Sequence, residues 1–365
     1  MSDLNLLSTE IEDDLRSTVR GLLRDQCDPG AVTALYDGDR STVDGLWKTL
    51  GVDLGLAGLL VPEHHGGAGA SAREAAVVLE ELGRTAAPVP FLTSAVVATT
   101  LLVHADADDL LAGLASGERT AAVVVPLSTA PDAELTTVEL ADGRLTGSVP
   151  SVAGALEADV LIVLTRETGR VAAYAVAAAD ATITPVVSLD MTRQVADVRL
   201  EGAEGTLVLA DAEGAARAAL DAGAALLASE QVGVAQWCLD TTVAYLKVRR
   251  QFGRVVGGFQ AIKHRLADLA AGVESATAAA RYAAATLAAG DGDRVVAASV
   301  AQAFCSDLAV AAAEEAIQLH AGIGMTWEHP AHLYLKRAKA DQIALGTAGA
   351  HRARLAGLVG LQGAS

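Results

Sequence analysis

Apolar residues recur every three or four positions through the first part of the chain. Ile11, Leu15, Val19 and Leu22 follow a Thr9/Glu12 pair with capping-box spacing, which predicts a helix with one apolar face. Ser71 and Glu74 open another helix in the same way, and Gly83 is placed to end it. Gly55–Gly69 between them is a glycine-rich loop; without a lysine or a preceding strand it is a weak phosphate-cradle signal. The uncharged run from Thr85 to Ala105 approaches the length of a membrane span. It is interrupted by Pro88 and Pro90, so it reads as a Pro-bounded loop followed by a buried helix.

Near residue 119 the texture changes to short Val-, Leu- and Thr-rich runs bounded by turns. Strands are predicted at Ala121–Val125, Leu135–Leu140, Val160–Leu164, Val171–Val176, Thr182–Val187 and Val195–Leu200, with hairpin signals at Asp142-Gly143 and Thr168-Gly169. After Asp211 four long helical stretches follow: Ala212–Arg249, Gln260 to about Ala289, Asp293–His320 and Leu333 to about Leu358. The pattern therefore predicts a mainly α chain with a central β domain. An N-terminal helical domain spans 1–118, a small β domain 119–205, and a C-terminal four-helix bundle 206–365.

Composition narrows this picture. Aromatic residues are only 3% of the 365, against 52% hydrophobic, so the core is built from Ala, Val and Leu in close-packed helices. The net charge of −18 argues against a nucleic-acid binder but leaves room for a local anion site. Cys27, Cys238 and Cys305 lack metal-ligand spacing and fit a reducing cytoplasm; Met1–Asp14 is polar and acidic, unlike a targeting leader. No membrane association and no metal are expected. His329 and His332 have no third ligand and stand beside Pro330, where a helix starts.

Candidate chemistry lies in three segments. In Arg249-Arg-Gln-Phe-Gly253 with Gly257-Gly-Phe-Gln260, a helix ends in a cationic turn before the next begins, which suits a pyrophosphate. Gln318-Leu-His-Ala-Gly-Ile-Gly324 is a helix end with a Gly-rich turn. The third segment is Leu345-Gly-Thr347. Together with Gly58–Gly69 and Leu79-Glu-Glu-Leu-Gly-Arg84, these resemble the landmarks of the acyl-CoA dehydrogenase family, in the same order and over nearly the whole chain. The resemblance implies that family's fold, FAD shared between subunits of a dimer that pairs into a tetramer, and oxidation of an acyl-CoA thioester to its 2-enoyl product in lipid β-oxidation. An electron-transfer flavoprotein is the implied oxidant of the flavin. Carried over residue by residue, Arg249, Gln251, Phe252, Gln260, Gln318, Leu319, His320, Ala321 and Gly322 are expected at FAD bound mainly by a neighbouring subunit. Thr347 is expected near FAD at the other face of the interface.

The departures are chemical. The family's usual base is the Glu before the Gly-Thr pair; here it is Leu345, which cannot accept a proton. The alternative base position, on the long preceding helix, is Gly223, with Ala224 beside it. Asp221 points elsewhere and is read as a solvated carboxylate, and Glu230 as a surface or inter-helix ion pair. In the β domain Gly147 and Ala158-Asp159 keep the family's separation, but Val149, Ser151 and Ala153 stand at the Lys, Trp and Thr places, which removes a stacking surface for the flavin ring. Ser128–Glu134 replaces the family's Thr-Glu…Gly-Ser-Asp loop. The chain thus resembles the partner subunit of a heterotetrameric acyl-CoA dehydrogenase, with no catalytic base of its own. The alternatives are a same-fold flavin monooxygenase and a flavin-free structural subunit.

Overall fold

The structure, a computed structural model, describes residues 4–105 and 107–361; the tip on which the leader reading partly rests lies outside them. Helix α1 (Glu10–Gln26) opens on the Thr9/Glu12 capping box. Short α2 (Pro29–Ala34) and α3 (Ser41–Trp47) lead to α4 (Ala72–Thr85), which opens on Ser71/Glu74. Ile11, expected on the apolar face of α1, is 71% exposed. Glu12 turns inward in its place, because it both caps the helix and accepts from Arg73 Nε at 2.6 Å; Val19 and Leu23 complete the buried stripe. Pro90 leads into a π-helical segment, Phe91–Ala98, then α5 (Thr99–Leu102) and α6 (Asp108–Ala115), all largely buried.

The β domain is two four-stranded sheets. One has the order β1 (Ala121–Val123), β4 (Val160–Glu167), β5 (Arg170–Ala177), β8 (Thr206–Leu209). The other has β2 (Glu139–Ala141), β3 (Arg144–Ala153), β7 (Val195–Glu204), β6 (Thr182–Pro185). Both hairpin signals form, with Asp142 and Gly143 at φ 50° and 75° and Thr168 and Gly169 at 49° and 87°. β3 escaped prediction because Gly147, Pro150 and two serines dilute its apolar pattern. Leu145, Val149, Leu161, Val163, Val198 and Leu200 fill the space between the sheets.

The C-terminal region is α7 (Glu213–Val248), a small hairpin of β9 (Arg250–Gln251) and β10 (Arg254–Val255), α8 (Gln260–Ala288), α9 (Arg294–His320), α10 (Ala331–Ile343) and α11 (Ala348–Leu358). The fourth helix expected from Leu333 to Leu358 is two, split where Leu345 and Gly346 adopt φ 54° and 101°. Small residues let the backbones touch: a Cβ on Gly83 of α4 would lie 2.0 Å from the Glu230 carbonyl of α7, and one on Gly233 2.0 Å from that of Glu80. Alanines 225, 228, 276, 280, 283, 297 and 301 make a second, close-packed core among α7, α8 and α9. The stretch Arg294–Met325 is long and apolar enough to cross a membrane, and 61% of its most apolar window is buried in the fold.

Candidate functional site

The two base positions face each other. Leu345 is 5% exposed, and a Cβ placed on Gly223 would lie 2.8 Å from Leu345 Cδ1 and 2.9 Å from Val97 Cγ2. The leucine thus occupies the room that the missing side chain of α7 leaves. Backbone bonds pin it there: Leu345 N–H donates to Leu127 O at 2.7 Å, and Leu127 N–H to Ser151 O at 2.9 Å. Ser151 stands at φ 54°, where the β3–β7 register slips, and its N–H donates to Asp197 Oδ1 at 3.0 Å. The segment around Ala130 packs on the same break, since a Cβ on Gly346 would come within 2.8 Å of Ala130 Cβ.

What remains is a cavity of 30 Å³ lined by Leu92, Thr93, Val97, Leu127, Ala153 and Leu345, among others. Ligand pockets run to roughly 300–1,000 Å³. The Thr93 hydroxyl already donates to Pro90 O at 3.3 Å. An isoalloxazine ring does not fit here, and neither base position carries an ionisable group.

Neither reserve carboxylate is free. Asp221, expected to be solvated, is paired with Arg354 (Nη2 to Oδ2 3.0 Å), their side chains 16% and 12% exposed, because α11 folds back over this part of α7. Glu230, read from the sequence as a surface or inter-helix ion pair, is indeed paired between helices, but within a buried cluster of five charges that the sequence did not reveal. Arg193 donates to it, and Arg337 Nη1 of α10 stands 3.5 Å away. Asp190 and Asp341 complete the group, and all five are 9% exposed or less. Burial pushes Glu230 up, but Arg193 and Arg337 outweigh it and hold the carboxyl below the usual range. Burial, reinforced by the Glu230 charge, pushes Asp341 well above it. The available signal was Glu230-Gln231 inside an otherwise apolar run of α7.

The second region is open. Arg249, Gln251 and Phe252 meet Leu319, His320, Ala321 and Gly322 in one groove of 720 Å³, walled also by Tyr245, Phe259 and Ile262. Gln260 begins α8 and Gln318 lies in the last turn of α9, both exposed and outside the groove lining. Thr347 is not part of the groove; it caps α11, its hydroxyl accepting from Ala350 N–H at 3.2 Å.

Among the described residues the Arg249 guanidinium has no carboxylate partner. The N-terminus of α8 has no side-chain cap, and its first-turn residues Ala261 and Ile262 line the groove. His320 stacks on Tyr245 at a centroid distance of 4.6 Å and meets His329 at a tilt of 42° and 4.1 Å. Its Nδ1 bonds Ala316 O at 2.7 Å, while the buried Nε2 has no partner. Burial pushes His320 and His329 below the ordinary histidine range, and His332 down to about 4. Among the described residues no three His, Cys, Asp or Glu side chains converge to hold a metal. A free guanidinium beside an uncapped helix N-terminus fits the diphosphate of a dinucleotide.

Comparison with known proteins agrees with the motif order. The model of the acyl-CoA dehydrogenase N-terminal domain matches residues 9–118, and that of the C-terminal domain residues 213–359. Acyl-CoA dehydrogenase IpdE2 of Mycolicibacterium smegmatis is 36% identical over 332 residues, 91% of this chain and 93% of the relative. Acyl-CoA dehydrogenase FadE34 of Mycobacterium tuberculosis is 36% identical over 90% of this chain, which spans 45% of that protein. Among solved structures, the Tcur3481-Tcur3483 steroid ACAD superposes with a TM-score of 0.84 at 29% identity, covering 96% of this chain and 98% of that one. The ChsE4-ChsE5 complex from Mycobacterium tuberculosis gives 0.86 at 26% identity, covering 99% and 100%.

Proposed function

The chain belongs to the acyl-CoA dehydrogenase family, and we propose that within it this chain is the partner subunit without a base, completing the FAD site of a second, base-bearing family chain. The observation that carries this reading is an asymmetry. The chain's own catalytic pocket is closed to 30 Å³ by Leu345 against Gly223, whereas the groove at Arg249 is open and its guanidinium has no carboxylate partner among the described residues.

When bound, FAD supplies the hydride acceptor for α,β-dehydrogenation of an acyl-CoA thioester. On this chain Arg249 and the first turn of α8 would hold the diphosphate, with Gln251, Phe252 and the 319–322 turn lining the rest of the same groove. The proton is removed by the partner's carboxylate, since neither Leu345 nor Gly223 can take it. Electrons leave to an electron-transfer flavoprotein. The likeness to a steroid ACAD makes steroid-derived acyl-CoA thioesters the substrates to try first. Three buried free thiols accord with a reducing cytoplasm.

A same-fold monooxygenase is disfavoured because it too needs room for the flavin ring. The test is co-expression with the base-bearing family chain. Arg249→Ala should lower flavin content in the complex, since a bidentate guanidinium–phosphate contact is hard to replace. Unchanged FAD occupancy in that variant would refute the assignment.

A further inference from the structure

A further cavity lies away from both regions described above. It measures 330 Å³ and opens where α1, the end of α4, the second half of α7 and the start of α10 meet. It shares no lining residue with the Arg249 groove. Trp237 in the cavity and Tyr245 in the groove are about 12 Å apart along the axis of α7, at 1.5 Å per residue. The volume falls within the range of small-molecule sites, roughly 300–1,000 Å³.

The interior is apolar, and its few polar atoms are already engaged. Trp237 and Tyr334 stack face to face, their centroids 3.5 Å apart and their planes 5° from parallel, and give the cavity a flat aromatic wall. Leu23 and Leu333 stand beside them, both buried. The Tyr334 hydroxyl donates to Arg84 O at 2.8 Å. The Cys27 thiol contacts Thr85 O at 4.0 Å, and burial pushes it up to about 11, so it stays neutral. A ligand inside meets flat hydrocarbon and no ionised group.

The rim is the reverse, rich in unused donors. Arg20, Arg24 and Arg84 line it against Glu81 and Asp28, three guanidiniums to two carboxylates in a chain of net charge −18. The carboxylates are occupied. Glu81 accepts from Arg16 Nη1 at 3.0 Å and from Arg20 Nε and Nη2 at 2.8 and 2.7 Å. Asp28 caps α2, its Oδ1 accepting from Gly30 and Ala31 N–H at 2.8 and 3.2 Å. The arginines keep capacity. Arg84 donates through Nη2 to Asp240 at 2.7 Å, and Arg24 through Nε to neighbouring Asp25 at 3.0 Å. These are their only side-chain bonds among the described residues, and a guanidinium carries five N–H groups.

We propose that this cavity binds a small carboxylate carried on a flat apolar body, with the body along Trp237 and Tyr334 and the carboxylate at Arg24 and Arg84. The apolar interior calls for the body, and the spare donors at the rim call for the anion. One excess guanidinium matches a monoanion, and its planar fork matches a carboxylate. The site is separate from the groove assigned to FAD, so the inference does not rest on the partner-subunit reading.

The probe is 2-naphthoate, titrated by calorimetry into the full chain, with neutral 2-naphthamide as the comparison. A Kd of about 1 mM or tighter is expected for the acid. The amide should bind about tenfold more weakly, because it lacks the charge-assisted bonds. Arg24→Ala combined with Arg84→Ala should weaken the acid by a similar factor and leave the amide unchanged. Asp240→Asn, which takes the charge from Arg84's partner, should tighten the acid about two- to fivefold. That gain cannot come from a damaged fold. The chain has 3 Trp, so its indole N–H signals are few enough to locate the ligand by NMR. The signal lost in Trp237→Phe should move on addition of the acid, and those of Trp47 and Trp327 should not. No binding of 2-naphthoate at millimolar concentration overturns the proposal. So does equal affinity for acid and amide, or a double-arginine variant that binds the acid as the wild type does. A shift of Trp327 with Trp237 unmoved places the anion on another surface and overturns it as well.

Discussion

Leu345 and Gly223 act as one unit, a large side chain filling the space that a missing one vacates. Gly223→Ala puts a methyl within 2.8 Å of Leu345 Cδ1 and 2.9 Å of Val97 Cγ2. Overpacking of this kind costs about 1–3 kcal/mol. Urea unfolding should show that loss in the single variant and less of it in a Leu345→Ala background, where the neighbour has withdrawn; equal losses in both would separate the two sites. Leu345→Glu should lower Tm and create no dehydrogenase activity in the isolated chain, because the new carboxylate is buried beside hydrocarbon with no room for a flavin. Activity in a flavin-loaded homo-oligomer of that variant would show that only the base had been lost. The absence of a base at both positions was legible in the sequence. That the two positions touch was not, because residues 223 and 345 meet only through the packing of α7 against the break between α10 and α11.

At the scale of elements, the buried cluster of Asp190, Arg193, Glu230, Arg337 and Asp341 joins the β6–β7 loop to α7 and α10. Arg337 Nη2 extends it to the N-terminal region through Ala87 O at 2.8 Å. Burial and the neighbouring Glu230 charge push Asp341 well above the usual carboxylate range, whereas Glu230, with both arginines beside it, is held below it, so folding favours a proton on Asp341. The sign follows from linkage. The folded protein keeps this proton above the unfolded pKa of about 3.9, so its contribution is complete below that value and declines as pH rises toward the folded one. Asp341→Asn should remove that decline, by up to about 1.4 kcal/mol per pH unit on the alkaline side of pH 4. Unfolding free energies of the two proteins that run parallel with pH would place the proton elsewhere. Sequence periodicity located most helices, and the capping boxes gave the starts of α1 and α4. It did not reveal the split of the fourth bundle helix, since Leu345 carries no turn signal of its own and its positive φ is imposed by the bond to Leu127 O. Nor did it reveal that Glu12 turns inward, which depends on Arg73 from another helix.

For the whole molecule, the order helical, β, helical was readable from the change of texture near residue 119 and its return after Asp211. The groove was readable only as three separated motifs, brought together by the ends of α7 and α9 and the start of α8. Its consequence is a matter of counting. On the proposed partner-subunit reading, this chain closes its own ring pocket and leaves its Arg249 groove open, so a pair with a base-bearing chain would form the shared site once. The groove of the partner then faces a pocket with no room for a ring. The complex should therefore contain half as many FAD molecules as chains, and the purified chain alone should be colourless. Flavin released by denaturation and measured against protein tests both statements. As many FAD as chains in the complex would mean that the pocket around Leu345 opens on assembly. That would require the Leu345–Leu127 hydrogen bond to break and the segment around Ala130 to withdraw from Gly346. A yellow isolated chain would require the same opening without a partner. Hydrogen exchange at the Leu345 amide, which should be among the slowest in the bundle while it donates to Leu127 O, would then report the opening directly.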